Sequence, residues 1–420
     1  MARDVVVIGA GIVGAMSAIH ILRGGDRVTI LEPEEPGGEQ SASYGNSGWL
    51  SSHSVIPPSE PGLWRKVPGL LLDPLGPLAV RPAYLAQALP WLLRYIASGA
   101  TRARIEATAR ALRTLLTDAP ALHHDVAAEA SCGHLIKITG LLHVFPTRNA
   151  FVATSLGWDV RRDVGIAWQE LSADELHARE PSLDRRYQFG VLVEEAGHCQ
   201  NPGAYVAALI AQAYSRGAVK NVGRATGLRI ESGRLRAVRT QAGEIECDAA
   251  VIAAGARSKK LAASAGDHVS LETERGYHVM ISRPEGAPVT PMMASDCKLV
   301  ATRMQDGLRV GGQVEIAAID AAPNWKRADI LRAHALSMFP ELPRDLDASR
   351  IRYWMGRRPS TPDGLPCIGY ASATRDVVYA FGHGHVGLVG SARTGRLVAQ
   401  LVAGKAPEIA LEPFDARRFH

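Results

Sequence analysis

The stretch "DVVVIGAGIVGAMSAIHILRGGDRVTILEPE", beginning at Asp4, constrains this chain more than any other part of it. The unbroken apolar run over 5–8 reads as a buried parallel strand. Gly9, Gly11 and Gly14 follow as G-x-G-x-x-G, then a helix over 15–23 that ends at the Gly24-Gly25 pair. A second apolar strand over 27–31 ends at Glu32. The first glycine allows a tight turn, the second admits a pyrophosphate to the backbone, and the third lets helix and strand pack closely. The helix start offers free N–H groups and a positive dipole end to phosphates. Glu32 is placed to accept hydrogen bonds from ribose hydroxyls, and its charge disfavours a 2′-phosphate. These residues predict a Rossmann-type site for an adenine dinucleotide, with NAD and FAD both open.

The next segment, "PEEPGGEQSASYGNSGWLSSH", is polar and rich in Gly and Ser where a simple NAD domain would enter another helix. It predicts backbone wrapped around a second large ring system, which points to flavin. Two later segments agree. In "GEIECDAAVIAAGARSKKL" a strand over 249–254 meets a small-residue turn at Gly255, open to close approach by a cofactor. In "DVVYAFGHGHVGLVGSARTGRLVAQLVAG" a strand over 377–380, a glycine loop and a long helix repeat the phosphate-type geometry near the other end of the chain.

With 420 residues, two domains are expected. The formal charge of +5 is spread without a basic run, which weighs against nucleic acid as a partner. Five scattered cysteines without a CxxC read as reduced thiols of a cytoplasmic protein. The first structural signal, at Asp4, leaves no room for a signal peptide. The apolar stretch "GLLLDPLGPLAVRPAYLAQALPWLLRYIA" is broken by Asp73, Arg81 and prolines, so it cannot span a bilayer. Its part over 83–97 reads as an amphipathic helix that packs on its own protein or makes peripheral contact with the inner face of the cell membrane.

The motifs "VVVIGAGIVG", "SYGNSG", "ERGYHV", "DGLRVGGQVEIA", "WMGRRPSTPDGLPCIG" and "GHGHVGLVGSARTG" occur in that order over 5–395. As a set they resemble the FAD-dependent D-amino-acid oxidase and dehydrogenase superfamily, which includes glycine oxidase and sarcosine oxidase. Within it the chain is most similar to the bacterial D-amino-acid dehydrogenases. The resemblance implies FAD on Gly9, Gly11, Gly14 and Glu32, on Ser43, Asn46 and Gly48 of the polar loop, and on Gly255. It also implies that Gly382, Gly384, His385 and Gly387 open the last helix toward the flavin pyrimidine, where the helix dipole stabilises developing negative charge. The metal reading of His383 and His385 fails for want of further ligands nearby, so no metal is expected. His383 is expected to be held by a local hydrogen bond.

The element G-x-R-P resembles the carboxylate-binding motif of the family, which places Arg358 on the substrate carboxylate. Arg357 reads as structural. Tyr277, in "ERGYHV", falls where the family places a tyrosine near substrate or flavin, and His53 could reach the active site from the loop after "GNSG". Arg309 stands where sarcosine oxidases carry a lysine that handles dioxygen, a departure that weighs against fast oxidase chemistry. Gly356 stands where they carry the flavin-linked cysteine, so the FAD is expected to be non-covalent. The implied reaction is hydride transfer from Cα to flavin N5, giving an imino acid that hydrolyses to a 2-oxo acid and ammonia. The substrate is a D-amino acid, with cyclic ones such as D-proline or hydroxyproline among the candidates, and the electron acceptor is a quinone, a respiratory carrier or dioxygen.

The expected fold is α/β. A discontinuous Rossmann-like FAD domain would take residues 1–85, 194–262 and 350–420. An α+β substrate domain built on a mixed sheet would take 86–193 and 263–349, with a hairpin turning at Asp306-Gly307. Two rival readings are an amine oxidase of the glycine or sarcosine oxidase type that uses dioxygen, and an FAD-bound subunit of a larger dehydrogenase complex. An NAD-dependent dehydrogenase explains neither "GHGHVG" nor "CDAAVIAAGA".

Overall fold

The computed structural model describes residues 2–65, 75, 76 and 78–420. The part of the apolar stretch at 69–74 and 77 lies outside the described residues.

A six-stranded sheet runs in the order Val219–Val222, Arg27–Glu32, Asp4–Ile8, Ala249–Ile252, Val377–Phe381 and Cys367–Tyr370. Its first five strands are parallel and the last is antiparallel. The continuous apolar run at the N-terminus has a direct cause. Val5 and Val7 face the helices Ile12–Arg23 and Gly387–Val402, while Val6 and Ile8 face the opposite core with Leu228, Val238 and Leu261. Both faces are covered, so both phases of the strand must be apolar. At about 1.5–3 kcal/mol for each buried side chain, this strand is among the best-anchored segments of the fold. The two helices lie close together because Gly395 meets Met16, whose backbone would stand 2.7 Å from a Cβ there. The opposite face of the sheet is covered by a three-stranded antiparallel meander over 225–246.

The second sheet is mixed and nine-stranded. Its order is Ile351–Ser360, Glu272–Ser282, Gly307–Ile316, Leu299–Met304, Met292–Ala294, Leu141–Phe145, Phe189–Val193 and Gln169–Leu171, with Leu78–Val80 paired to Gly307–Ile316. The helix Lys326–Met338 covers one face, setting Leu331, Ala335 and Met338 against Tyr277, Val279 and Ile281.

Several expectations shift in detail. The hairpin turns at Gln305-Asp306, because Met304 already pairs with Gly307. "HLIKITGLLHVF" is two strands: Gly140, at φ +73°, separates Ile136–Lys137, which pairs with Gly197–Cys199, from Leu141–Phe145. The strand over 249–254 stops at Ile252. The strand Ile351–Ser360, expected in the FAD domain, belongs to the nine-stranded sheet. The helix Arg102–Leu116, expected in the substrate domain, buries Ile105, Leu112, Leu115 and Leu116 in the core that contains Val5 and Val7. The helix Leu85–Ser98 buries Ala88, Trp91 and Tyr95 and leaves Leu89 and Leu93 exposed. Among the described residues no helix is long and apolar enough to cross a membrane.

Candidate active site

A cavity of about 1010 Å³ lies between the carboxyl ends of the parallel strands and one face of the nine-stranded sheet. This is the crevice where open α/β sheets bind ligands. Gly9, Gly11, Glu32, Ser43, Asn46, Gly255, Gly384, His385, Gly387 and Arg358 all line it.

At the dinucleotide end the backbone needs glycine. Gly9 sits at φ +107°, and a Cβ there would stand 2.5 Å from the Ala253 carbonyl oxygen. Gly14 does not line the cavity; a Cβ on it would run into the Gly9 carbonyl, so it serves helix–strand packing. Glu32 closes its strand with one carboxylate oxygen accepting from the Ala10 N–H at 2.8 Å. Burial raises the Glu32 carboxyl above its usual range, against the hydrogen bonds from Ala10 and Glu34. Ser43 Oγ accepts from the Ile12 N–H at 3.1 Å, tying the polar loop to the first turn of the helix. At the other end, the helix Gly387–Val402 starts without a side-chain cap and without an acidic residue in its first turn. Both helix starts therefore present backbone donors and positive dipole ends to the same cavity.

The polar loop is clamped by the second sheet. Arg309 donates from Nη1 to the Tyr44 carbonyl at 3.0 Å and the Asn46 carbonyl at 2.5 Å. His278 donates from Nδ1 to the Gly45 carbonyl at 3.1 Å, and Trp354 donates to the Glu39 carbonyl at 2.8 Å. Asn46 Oδ1 accepts from the Gly48 N–H at 2.8 Å. Arg309 is thus occupied as a loop clasp, and burial lowers its guanidinium to about 10. Gly48 and Gly382 do not line the cavity. Their φ values of +79° and +83° make the turns on either side of it.

The substrate end follows from period-two alternation on two paired strands. Glu274, Gly276 and His278 share one face and stand opposite Arg358, Gly356 and Trp354 in the register. All six line the cavity. The two glycines matter because Cβ atoms would run into the Arg358 guanidinium from Gly276 and into the Trp354 ring from Gly356. Without them the large side chains could not lie flat on the sheet. Arg358 is half-buried, and its Nη1, which is shielded from solvent, has no hydrogen-bond partner among the described residues. Burial lowers the guanidinium below its usual range, and the Glu274 charge only partly offsets this. Glu274 is buried. It accepts from His385 Nε2 at 2.9 Å and from Ser360 Oγ at 2.9 Å. Burial opposes its charge, but the His385 hydrogen bond and the nearby Arg358 hold its carboxyl below the usual range.

Two expected residues differ in placement: Tyr277 belongs to the cavity lining but turns its hydroxyl away, and His53 lies behind it. The Tyr277 side chain falls on the opposite face from Glu274 and His278, among Val279 and Ile281. Its hydroxyl donates to Glu315 at 2.7 Å and accepts from the Asn324 N–H at 3.0 Å, so the ring is a wall element without a free hydroxyl. His53 is buried and does not line the cavity. It pairs with His143 at 2.8 Å and with Ser51, which does line the cavity. His383 pairs with Thr394 Oγ1 at 3.0 Å, and burial lowers its imidazole to about 3. Glu274, His278 and Trp354 were missed from the sequence; the alternation of "ERGYH" held the signal for the first two. No cysteine lines the cavity, and Cys367 is buried beside Arg418.

These features fit an FAD: glycine turns for the pyrophosphate, an acid for the ribose, two uncapped helix starts and a loop held open for a second ring system. The comparisons agree. The model of the DAO family, described as FAD dependent oxidoreductase, matches residues 4–401. A "D-amino-acid oxidase" of Bradyrhizobium diazoefficiens is 63% identical over 417 residues, covering 99% of both chains. A "D-amino acid dehydrogenase" of Methylobacterium sp. is 31% identical over 421 residues, again covering 99% of both. Among solved structures, glycine oxidase from Geobacillus kaustophilus superposes with a TM-score of 0.74 at 23% identity, covering 99% of this chain and 98% of that one. L-proline dehydrogenase from P. horikoshii gives 0.74 at 19% identity over 100% and 98%. At these identities the two structures establish the fold.

Proposed function

We propose that this chain, which belongs to the DAO family of FAD-dependent oxidoreductases, oxidatively deaminates D-amino acids. The observation that carries the reading is Arg358: a guanidinium in the cavity wall whose buried Nη1 lacks a partner. A buried unpaired donor is costly, and a substrate carboxylate would remove that cost while fixing the orientation of Cα. The D series is supported by the names of the relatives, at 63% and 31% identity.

The residues expected to hold the dinucleotide are Gly9, Gly11, Glu32, Ser43, Asn46, Gly255, Gly384, His385 and Gly387, with Gly14 packing the first helix against its strand and Gly48 and Gly382 shaping the turns. Bound FAD supplies the acceptor for the two electrons of the Cα–H bond. The protein's part is positional. Arg358 holds the carboxylate, and the glycine pair lets the Arg358 and Trp354 side chains lie flat on the sheet as the floor on which the substrate is oriented. The absence of a cysteine from the cavity supports non-covalent FAD.

Two acceptors are in play. The commitment of Arg309 to loop carbonyls supports a carrier-type acceptor, as in a dehydrogenase, and the exposed Leu89 and Leu93 support reaching it at a membrane face. The oxidase name of the 63% relative favours dioxygen. Turnover of D-alanine, D-proline and their L forms, with an artificial acceptor and then with air alone, tests both points. The reading predicts 2-oxo or cyclic imino acid from the D forms; activity confined to L forms, or none, would overturn it. Peroxide formed in air at a rate matching the artificial acceptor would decide for dioxygen.

A further inference from the structure

Resting on the amine-oxidation reading, we propose that His385 is the proton acceptor for the substrate ammonium and that Glu274 is its positioning residue. An α-amino acid reaches the site with its amine protonated at neutral pH, and an ammonium nitrogen has no lone pair to assist loss of the Cα hydride. Something must take that proton inside the cavity.

The geometry singles out one group. His385 lies in the loop that opens the last helix, its side chain 47% exposed while that of Glu274 is 3% exposed. The Glu274 carboxylate can only accept, so His385 Nε2 carries the hydrogen of their 2.9 Å bond. That fixes the tautomer and leaves the Nδ1 lone pair, which has no hydrogen-bond partner among the described residues. Ser360 donates to the same Glu274 oxygen and holds the carboxylate in place. Glu274 and Arg358 are cross-strand neighbours, so the carboxylate clamp and the imidazole stand at the same end of the cavity. Other titratable groups of the wall include Arg357, which donates to the Ile319 carbonyl, Tyr95 from the helix Leu85–Ser98 and Glu60 from the preceding loop. The Tyr95 hydroxyl is bound to the Pro58 carbonyl, which leaves it unsuited to accept a proton. The remaining histidines of the wall each keep one ring nitrogen on a local partner, His278 on the Gly45 carbonyl and His383 on Thr394, and burial holds both imidazoles well below their usual range, which makes them poor proton acceptors.

The step balances simply. The substrate N–H bond breaks, its electron pair stays on nitrogen, and the proton forms an Nδ1–H bond on His385. The resulting imidazolium faces the Glu274 carboxylate, and the proton leaves to solvent when the product departs. The arrangement also explains why a carboxylate is buried so near the substrate clamp. Its charge is used toward the imidazole, leaving Arg358 Nη1 free.

The test uses the FAD-loaded enzyme and the variants His385→Gln and Glu274→Gln. The first readout is the rate of anaerobic flavin reduction by D-alanine at pH 7 and pH 10. Removing a general base costs about 10²–10⁴-fold, so His385→Gln should lose at least about 30-fold at pH 7 and recover to within a few-fold at pH 10, where free amine is abundant. Glu274→Gln should show a smaller loss with the same recovery. The second readout is binding of isobutyrate and 2-aminoisobutyrate, which differ only in the amine and cannot be oxidised at Cα. His385→Gln should weaken the amino compound by about 10-fold near neutral pH and leave isobutyrate unchanged, as expected for one lost charge-assisted contact. Losses equal at both pH values, no loss, or equal weakening of both ligands would overturn the proposal. Should one variant fail to fold, the other carries the same test. A wild-type flavin that no D-amino acid reduces at either pH would instead withdraw the amine-oxidation reading itself.

Discussion

Arg358 shows what one side chain contributes and what it requires. Truncating a buried group that pairs with a charge costs about 2–5 kcal/mol, so Arg358→Ala should weaken binding of a simple carboxylate by at least about 30-fold while the protein keeps its FAD. Arg358→Lys should recover only part of this, because an ammonium cannot form the two parallel bonds. Carboxylate titration of the flavin spectrum measures both; unchanged affinity would remove Arg358 from the site. Gly276→Ala is the sharper variant, since its Cβ would run into the Arg358 guanidinium without touching its charge. It should raise KM for the amino acid by about 10-fold or more, the scale of a 1–3 kcal/mol packing error, with FAD retained. An unchanged KM would show that the guanidinium does not need its seat on the sheet. Arg358 could be singled out in the sequence because a short motif surrounds it, and the structure puts it in the cavity wall. The direction of the Tyr277 side chain was not legible, because the motif gives proximity along the chain, whereas alternation decides the face.

At the scale of elements, what was legible was local. The strand, glycine turn and helix over 4–32 form within one stretch, and each boundary has its own chemical mark, so sequence and structure agree there to within a few residues. The nine-stranded sheet pairs strands from 78 to 360, and the sequence carries no mark of which edge meets which. That is why the pairing of Ile351–Ser360 into the nine-stranded sheet was not legible and Glu274 was overlooked, since only the pairing of its strand with Ile351–Ser360 sets it beside Arg358. The helix Arg102–Leu116 was misplaced for a related reason: its apolar stripe shows that it packs, but not on which core. Glu32 offers a test of the turn it closes, because its carboxylate fastens the Ala10 N–H and is expected to hold the ribose. Glu32→Ala should weaken FAD by about 10–100-fold, the cost of one or two hydrogen bonds to a charged group. An FAD affinity unchanged by isothermal titration would contradict that role.

For the whole molecule, the buried histidines set the response to acid. Burial lowers His20, His143 and His383 to about 3 and His123 and His198 to about 4. The unfolded chain takes up protons near 6.5 while the folded chain resists, so this stability is present above the unfolded value and is lost as pH falls toward 3–4. Each such histidine contributes a slope of about 1.4 kcal/mol per pH unit within that window. The unfolding temperature should therefore drop steeply between pH 6.5 and 4.5, and a flat profile would show that these imidazoles are not buried neutral. The central claim concerns the cavity as a whole, where a dinucleotide site and a carboxylate clamp meet. It is tested most directly by the visible spectrum of the purified protein under anaerobic conditions, before and after D-alanine or D-proline. A yellow protein bleached by the D form and not by the L form is the predicted result. A yellow protein that no amino acid bleaches, or one that takes up no FAD, would contradict it.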